Sequence, residues 1–203
     1  MIKKFITEQL KNPDRFPGKF ILGPLWNRRN AVLNDATFEH MKLTGNDRVL
    51  DIGFGGGYLL GKILKKVTEG YVAGVDISGS MVASCRRKYK TFIEKGKLNI
   101  ECAMAGSLPY EDEHFTKVTS VNSIFYWTNL FEGIGEIYRV LRKEGLLVLT
   151  YTCKNDLDKR GFNLRTYEES EVMSIMETAG FTGIKNIHSL DRYREFIISK
   201  GKK

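Results

Sequence analysis

The chain has 203 residues, and 42% of them are hydrophobic, so it is long and apolar enough to fold as one globular domain with a sizeable core. No apolar stretch is long enough to span a bilayer, and charged residues interrupt the N-terminus too early for a secretory signal, so we expect a cytoplasmic protein. We interpret the net charge of +8 as solvated basic helix faces, with nucleic acid, an anionic membrane surface or an acidic small substrate as alternatives.

The apolar periodicity predicts helices and strands that alternate along most of the chain. A helical pattern over residues 29–42 leads into the first strand. We expect residues 1–45 to form an N-terminal helical segment on a core of residues 46–203, within one structural domain. The predicted strands before the last hairpin are residues 48–52, 71–75, 98–102, 117–121 and 146–151, and the predicted helices between and after them are residues 57–67, 80–92, 130–141 and 168–179. Alternation of this kind implies parallel pairing through right-handed crossovers.

The end of the chain predicts a hairpin. Two apolar runs, residues 184–188 and 195–199, are separated by a polar stretch that is too short for a helix, so they should pair antiparallel. The sequence therefore predicts an α/β fold with a doubly wound, mostly parallel seven-stranded sheet and one antiparallel strand near its edge. Such folds bind ligands where the strand order reverses, which is here between the first and fourth strands.

The most informative motif is the run Asp51-Ile-Gly-Phe-Gly-Gly-Gly57, where the first strand enters a glycine-rich turn. Glycine allows positive φ and lets a ligand approach the backbone without interference from Cβ. A helical pattern follows at once, and the first turn of a helix offers unpaired N–H groups and the positive end of a dipole. The run therefore predicts a pocket for a nucleotide-like ligand at the carboxyl end of the first strand.

The spacing of the glycines excludes two common nucleotide-binding motifs. The dinucleotide fingerprint needs a third glycine where the chain has Tyr58 or Leu60. The phosphate-binding loop pattern fails at Ile63, where a hydroxyl side chain should bind the metal ion. A glycine-rich turn that holds no ligand remains as an alternative.

The three cysteines give no sign of a metal or disulfide site. Cys85, Cys102 and Cys153 are far apart and show no C-x-x-C spacing. We expect no bound metal, and we expect the three thiols to be buried and structural.

The pattern D-x-G-x-G-x-G resembles the first motif of the class I S-adenosylmethionine-dependent methyltransferases. Three further features follow in the order of that family: Asp76 after the second strand, the segment Ala103–Tyr110, and a helix-turn-strand over residues 136–148. The resemblance covers about residues 28–188 and is best to the small-molecule, type 11 group. It implies a Rossmann-like methyltransferase fold, S-adenosylmethionine as the cofactor and S-adenosylhomocysteine as its product.

Residue chemistry and the resemblance together predict a cofactor site. Asp51 offers a carboxylate suited to an ammonium group, and Asp76 suits a pair of ribose hydroxyls, with capping of the next helix as its alternative role. Family members hold the methionine part of the cofactor through backbone at the position of Asn122. The predicted cofactor-binding residues are Asp51, Gly53, Gly55, Gly57, Asp76, Ile77, Met104, Ala105 and Asn122.

The chain departs from the family at Met104. Family members place an acidic side chain there, against the adenine amino group, whereas a thioether packs against the ring and is only a weak hydrogen-bond acceptor. We expect backbone groups near Met104 and Ala105 to contact the adenine edge. We also expect a lower cofactor affinity than in members that keep the carboxylate.

The residues that would act on the acceptor are less marked than those of the cofactor site. Methyl transfer requires no covalent enzyme intermediate and no metal, and a general base helps only if the acceptor must lose a proton. The weak candidates for a catalytic group are His114, Tyr126 and Tyr151, which we place at the carboxyl ends of the strands. A solvated acidic turn is the alternative for His114. Tyr126 and Trp127 are candidates for the substrate pocket, with helix packing as their alternative.

The function that these features favour is methyl transfer from S-adenosylmethionine to a small-molecule acceptor. The basic charge raises the alternative of a tRNA or rRNA methyltransferase. Against it, Asn122-Ser-Ile-Phe125 lacks the Pro-Pro of enzymes that methylate base amines, and Cys153 lacks the partner Pro-Cys of RNA cytosine enzymes. No RNA-binding module is visible in the sequence. A third alternative is a module that binds S-adenosylmethionine without catalysis.

The segment Phe16–Asn34 precedes the predicted core and contains Trp26, Arg28 and Arg29. N-terminal additions in the family often fold over the cofactor. We therefore hypothesise that this segment forms a lid over the cofactor.

Overall fold

Strands and helices alternate from residue 30 to the C-terminus. A computed structural model of the protein describes residues 30–160 and 164–203, apart from the side chains of residues 159 and 160. The strands are β1 (Arg48–Ile52), β2 (Tyr71–Asp76), β3 (Leu98–Cys102), β4 (Phe115–Val121), β5 (Leu141–Thr152), β6 (Thr182–Leu190) and β7 (Glu195–Lys202). The helices are α1 (Ala31–Met41), α2 (Tyr58–Lys66), α3 (Gly79–Lys88), α4 (Lys90–Glu94), α5 (Leu130–Val140), α6 (Lys154–Arg160) and α7 (Glu169–Thr178), and Ile124–Tyr126 forms a 3-10 turn.

The seven strands form one sheet in the order β3-β2-β1-β4-β5-β7-β6. β7 pairs antiparallel with β5 and with β6, while β1 to β5 pair in parallel. Strand order reverses between β1 and β4, so the loops that follow these two strands diverge and leave a crevice at the carboxyl edge. The predicted doubly wound α/β fold, with its C-terminal hairpin and one antiparallel strand, is confirmed.

Helices bury both faces of the sheet. Because side chains alternate along a strand, neighbouring residues of β5 enter different apolar clusters. Leu147, Leu149 and Tyr151 lie in a cluster with residues of α5 and α7, whereas Val148 lies in a cluster with residues of α1, α2 and α3. The two covered faces hold the sheet in place, so that the loops at its carboxyl edge start from fixed positions.

Among the differences from the predicted elements, three have a clear physical reason. The helix predicted over residues 80–92 is divided into α3 and α4, because the backbone leaves helical geometry at Tyr89, whose hydroxyl donates a hydrogen bond to the Gly57 carbonyl at 2.6 Å. β5 begins at Leu141, which pairs with Phe115 ahead of an irregular stretch. The sequence carries no helix prediction for α6, since Leu157 is its one apolar residue and gives no period.

Part of the predicted N-terminal segment, residues 1–45, lies outside the described residues. The structure describes this segment from Asn30 onward, as α1 and the turn into β1. Thr37 of α1 donates a hydrogen bond to the Leu33 carbonyl and bonds the Thr150 hydroxyl of β5 at 2.7 Å, so α1 is joined to the core. Residues 16–29 of the hypothesised lid lie outside the described residues.

Two expectations from composition can be compared with the structure. Within residues 30–160 and 164–203, no helix combines the length and the apolar character needed to cross a membrane. Cys85 is buried and Cys153 is partly buried, but Cys102 is exposed at the end of β3. The expectation of burial is therefore wrong for Cys102, because the last residue of that strand extends beyond the helices that cover the sheet.

Candidate functional site

A cavity of about 420 Å³ opens at the carboxyl ends of β1, β2 and β4. It lies where the strand order reverses, as the fold predicts. Eight of the nine predicted cofactor-binding residues line it: Asp51, Gly53, Gly55, Asp76, Ile77, Met104, Ala105 and Asn122. Gly57, the ninth, is outside the lining. A Cβ at Gly57 would lie 2.8 Å from Cys85 Sγ, so this glycine allows the turn to pack against α3.

The glycine-rich turn brings its backbone to the cavity floor. Gly53 has φ +72, and a Cβ there would lie 2.4 Å from Cβ of Ser123, so only glycine lets β1 and the loop after β4 approach this closely. Gly55 has φ +53, but a Cβ there would meet no atom within 4 Å. The first glycine therefore permits close packing, and the second leaves open space beside the turn.

Asp51 is a buried carboxylate without a complete set of partners. Its side chain is 2% exposed, and Oδ2 has no hydrogen-bond partner in the structure. Burial, together with the nearby Asp76 carboxylate, raises the pKa of Asp51 to about 8. A cation that enters the cavity beside this carboxyl would favour its ionised form and pair with it.

The Asp76 carboxylate bonds backbone N–H groups in the two turns that follow β1 and β2. Oδ2 accepts a hydrogen bond from the Gly55 N–H at 2.8 Å, and Oδ1 accepts one from the Ser78 N–H at 2.9 Å. Ser78, not Asp76, caps α3, since its hydroxyl accepts from the Met81 N–H at 3.3 Å. Asp76 therefore ties the turn after β1 to the turn after β2, and it lines the cavity beside both.

The far end of the cavity combines apolar side chains with a carboxylate. Ile77 and Met104 are each about half exposed there, and Ala105 is buried. Glu132, in the first turn of α5, reaches the same end, because a Cβ on Gly106 would lie 3.4 Å from its Oε2. The sequence gives no signal for Glu132, which is far along the chain from Met104.

Asn122 closes β4 and bonds two other elements. It has φ +53, an uncommon conformation for a residue with a side chain, and its N–H donates to the Thr150 carbonyl at 2.8 Å. Its Oδ1 accepts from the Thr152 N–H at 2.8 Å, and its Nδ2 donates to Asn30 Oδ1 at 3.3 Å. These side-chain bonds hold the left-handed backbone that turns the chain away from the sheet.

Tyr126 and Trp127 both line the cavity, and Trp127 also packs against the following helix. Trp127 Nε1 donates to the Ser123 hydroxyl at 3.0 Å, and its ring leaves no room for a Cβ at Gly133 of α5. Burial raises the pKa of Tyr126 well above its usual range, so its phenol is neutral at physiological pH. The position of Trp127 is compatible with both predicted roles, lining a substrate pocket and packing against the following helix.

Two of the three catalytic candidates lie away from the cavity. Tyr151 is fully buried in the sheet face under α5 and α7, and its hydroxyl bonds Ser199 at 3.2 Å. The placement at the cavity is wrong because alternation along β5 points Tyr151 into that core. His114 precedes β4, so it lies at the amino edge of the sheet, where its ring nitrogen bonds the Arg48 guanidinium. The predicted placement of His114 is also wrong, since a residue that precedes a parallel strand lies at the sheet edge opposite to the residues that follow it.

The cavity wall also includes residues that the sequence does not indicate. Asn30 and Asn34 come from the start of α1, Leu157 from α6, Leu164 from the segment before α7, and Arg194 from the β6–β7 hairpin. These residues are distant from one another along the chain, and no motif connects them. Among the described residues there is no cluster of three or more side chains suited to a metal ion.

Comparison with known proteins identifies the family. Residues 50–149, which contain the glycine-rich turn and β1 to β5, match the family model described as a methyltransferase domain. The uncharacterized methyltransferase YdaC of Bacillus subtilis is 31% identical over 130 residues, which are 64% of this chain and 70% of that protein. The chain belongs to the class I methyltransferases of type 11. It is an S-adenosylmethionine-dependent methyltransferase, as its sequence motif predicts.

Other relatives are similar over part of their length. The ubiquinone/menaquinone biosynthesis C-methyltransferase UbiE of Geotalea daltonii is 28% identical over 110 residues, 54% of this chain and 47% of that protein, so the methyltransferase spans about half the length of that relative. The crystal structure of the [4+2]-cyclase SpnF superimposes with a TM-score of 0.73 at 20% identity, over 88% of this chain and 82% of that one. This structural likeness shows the fold alone.

Proposed function

We propose that the methyltransferase binds S-adenosylmethionine along the cavity floor and methylates a small organic molecule at its opposite end. The buried Asp51 fits the ammonium group of the cofactor, because its unpartnered oxygen is the acceptor that such a cation needs. Asp76, the last residue of β2, lines the cavity where an acidic residue suits the ribose hydroxyls. The remaining cofactor contacts are assigned to Gly53 and Gly55 at the turn, to Ile77, Met104 and Ala105 at the adenine end, and to Asn122 beside the methionine part.

A single observation supports the small-molecule acceptor: the cavity continues past these residues to an aromatic and aliphatic wall. Phe125, Tyr126 and Trp127 come from the loop after β4, and Leu157 and Leu164 face the same space. A concave, mostly apolar wall with a few polar groups is the usual form of a small-molecule site. The space fits an acceptor with an apolar body, such as a substituted ring.

The bound cofactor supplies an electrophilic methyl group on a sulfonium centre. The residues of the chain position the two reactants and exclude water, which is the main catalytic contribution available to them. The neutral hydroxyl of Tyr126 can donate a hydrogen bond to an acceptor oxygen, but its raised pKa makes it a poor base. The site therefore suits an acceptor whose nucleophilic atom is reactive without a strong protein base.

Names of relatives suggest the first acceptor class to test. One relative, from Oryza sativa subsp. japonica, is named as a 2-methyl-6-phytyl-1,4-hydroquinone methyltransferase, at 32% identity over 121 residues. A hydroquinone has an aromatic ring and electron-rich ring carbons, and both suit the apolar wall. We infer that the acceptor is of this general class, a small electron-rich ring.

Production of S-adenosylhomocysteine tests the proposal directly. The purified protein and S-adenosylmethionine are incubated with methylhydroquinone, with related phenols, or with unfractionated tRNA. Turnover with a ring acceptor and none with tRNA is the expected result. Turnover with tRNA alone would refute the small-molecule acceptor, and an absence of calorimetric binding of S-adenosylhomocysteine would refute the cofactor placement.

A pair of variants tests the position of the acceptor. Leu164→Trp places a large ring in the acceptor end of the cavity, and we expect at least a tenfold loss of turnover with little change in S-adenosylhomocysteine affinity. Leu190→Trp makes the same chemical change on the exposed hairpin, where Leu190 is 69% exposed, and serves as the matched control. Equal turnover in both variants would place the acceptor elsewhere.

A further inference from the structure

A carboxylate from α5 lies beside the loop that follows β3. Glu132 is in the first turn of α5 and lines the cavity. A Cβ on Gly106 would lie 3.4 Å from Glu132 Oε2 and 3.5 Å from Glu132 Cβ, so the side chain extends along this glycine. Gly106 belongs to a turn that begins at Met104, whose carbonyl accepts from the Ser107 N–H at 3.1 Å. Glu132 is therefore next to the turn in which the chain has a thioether instead of the acidic side chain of the family.

The following turn of α5 is bonded to the same loop. Glu136 Oε2 accepts a hydrogen bond from the Leu108 N–H at 2.8 Å, and Glu136 also pairs with Arg139. Arg139 in turn donates to the carbonyl oxygens of Leu108 at 3.1 Å and of Tyr110 at 2.8 Å. Residues four apart share one face of a helix. The bonds of Glu136 therefore hold Glu132, one turn earlier, against the loop at Gly106.

Glu132 differs from Glu136 in having no bonded neighbour. In the part of the chain that the structure describes, it makes no hydrogen bond or ion pair, and it is exposed at the cavity. An acidic residue in the first turn of a helix is stabilised by the helix dipole, which gives Glu132 a structural role independent of any ligand. The position of its carboxylate at the cavity adds the capacity to accept a hydrogen bond from a ligand.

The apolar residues nearby suit the faces of a flat ring. Ile77 and Met104 are about half exposed and line the same part of the cavity as Ala105. Proteins that recognise a base commonly pack its faces against apolar side chains and bond its edge. The edge of adenine carries an amino group, which is a hydrogen-bond donor and needs an acceptor. A thioether is a weak acceptor, whereas a carboxylate is a strong one.

We propose that Glu132 accepts a hydrogen bond from the adenine amino group of S-adenosylmethionine and selects adenine over purines that lack this group. The inference rests on the proposed binding of the cofactor in this cavity. A purine with a carbonyl in place of the amino group would present one acceptor to another, so Glu132 disfavours it. A carboxylate from α5 also offsets the loss of cofactor affinity that we expect from Met104.

Two ligands that differ at the purine edge test this role. S-adenosylhomocysteine carries the amino group, and S-inosylhomocysteine carries a carbonyl in its place. Calorimetric affinities are measured for both ligands on the wild type and on Glu132→Gln. We expect the wild type to prefer the adenosyl ligand by at least about tenfold, and Glu132→Gln to reduce this preference to less than about threefold. An amide can donate to the carbonyl as well as accept from the amino group, so glutamine distinguishes the two ligands poorly.

A control and a rescue variant accompany Glu132→Gln. Glu171 is an exposed glutamate in the first turn of α7, so Glu171→Gln removes the same kind of charge from a helix start away from the cavity lining. It should change neither affinity. The double variant Glu132→Gln/Met104→Asp returns a carboxylate to the loop after β3, and we expect it to recover most of the preference for the adenosyl ligand.

The possible results are distinct. Equal weakening of both ligands by Glu132→Gln would show that Glu132 acts only on the start of α5, and an unchanged preference would show that the amino group lies elsewhere. Either result would overturn the role of Glu132 while leaving the cofactor site in place. An absence of S-adenosylhomocysteine binding to the wild type would overturn the proposed function, and this inference with it. Binding of S-inosylhomocysteine to Glu132→Gln also reports that the variant is folded.

Discussion

Replacing Asp51 with asparagine tests whether this carboxyl is protonated in the free protein. Burial and the Asp76 carboxylate raise the pKa of Asp51 from 3.8 to about 8. A carboxyl whose pKa rises on folding binds its proton more tightly in the native state than in the unfolded state. The free energy of unfolding therefore falls by about 1.4 kcal/mol for each pH unit between about pH 4 and about pH 8. Above pH 8 this contribution no longer changes. Asparagine does not titrate and escapes this loss.

Without cofactor, we expect the stability of Asp51→Asn relative to the wild type to increase by about 3 kcal/mol between pH 6 and pH 9. Urea unfolding followed by circular dichroism at several pH values in this range measures the difference. Asp35→Asn, which removes an exposed carboxylate paired with Lys62, controls for the general effect of an Asp-to-Asn change. A stability difference that is the same at pH 6 and pH 9 would show that Asp51 is ionised throughout and would refute the reasoning.

The same carboxyl links cofactor binding to pH. If Asp51 pairs with the ammonium group, it must ionise when the cofactor binds, and binding at pH 7 should release close to one proton, because a group with a pKa of about 8 is mostly protonated there. Calorimetry in buffers with different enthalpies of ionisation measures this number. Asp51→Asn should bind S-adenosylhomocysteine more weakly and without that proton release. Proton release that persists in the variant would assign it to another group.

Three further substitutions have distinct expected outcomes. Gly53→Ala should lower the free energy of unfolding by about 3 kcal/mol or more and abolish cofactor binding, because the new Cβ overlaps Ser123. Native-like stability in urea unfolding would contradict this. Gly55→Ala should lower the free energy of unfolding by only about 1–2 kcal/mol, because of the positive φ at this position. It should still lower the calorimetric affinity for S-adenosylhomocysteine, since the new methyl group lies beside the glycine-rich turn. Unchanged affinity would place the ligand away from this turn. Tyr151→Phe should cost about 1 kcal/mol through the lost bond to Ser199 and leave kcat and KM unchanged, and a kinetic defect without a loss of stability would restore Tyr151 as a catalytic candidate.

The sequence predicts the central strands well because their signal is local. Apolar runs bounded by turn residues define β1 and β3 with the bounds that the structure has. The break at Tyr89 has no such local signal, and the Tyr89 hydroxyl bonds the Gly57 carbonyl in another part of the chain. Helix α6 has one apolar residue, and no period in the sequence can reveal it.

The same contrast holds within the site. Asp51 is the last residue but one of β1 and Asp76 is the last residue of β2, so the position of each carboxylate near the sheet edge follows from the strand itself. The wall that α1, α6 and the last hairpin add to the cavity has no such local signal, since Arg194 is held there by bonds to Asp191 and Asn30 from two different elements. Strand direction and side-chain alternation are readable from sequence, and applying both rules places His114 at the opposite edge and Tyr151 in the core.

The charges of the cavity and of the surface point to different ligands. The chain carries +8 overall, but the described lining of the cavity has three carboxylates, Asp51, Asp76 and Glu132, against one guanidinium. Exposed charges are screened over about 10 Å at ordinary salt, whereas buried ones act at nearly full strength on a bound group. The two buried carboxylates, Asp51 and Asp76, therefore dominate recognition over the exposed Glu132, and they favour a cationic donor such as S-adenosylmethionine. Because the nucleic-acid reading rests on the screened surface charge alone, the cavity favours a methyltransferase for a small acceptor.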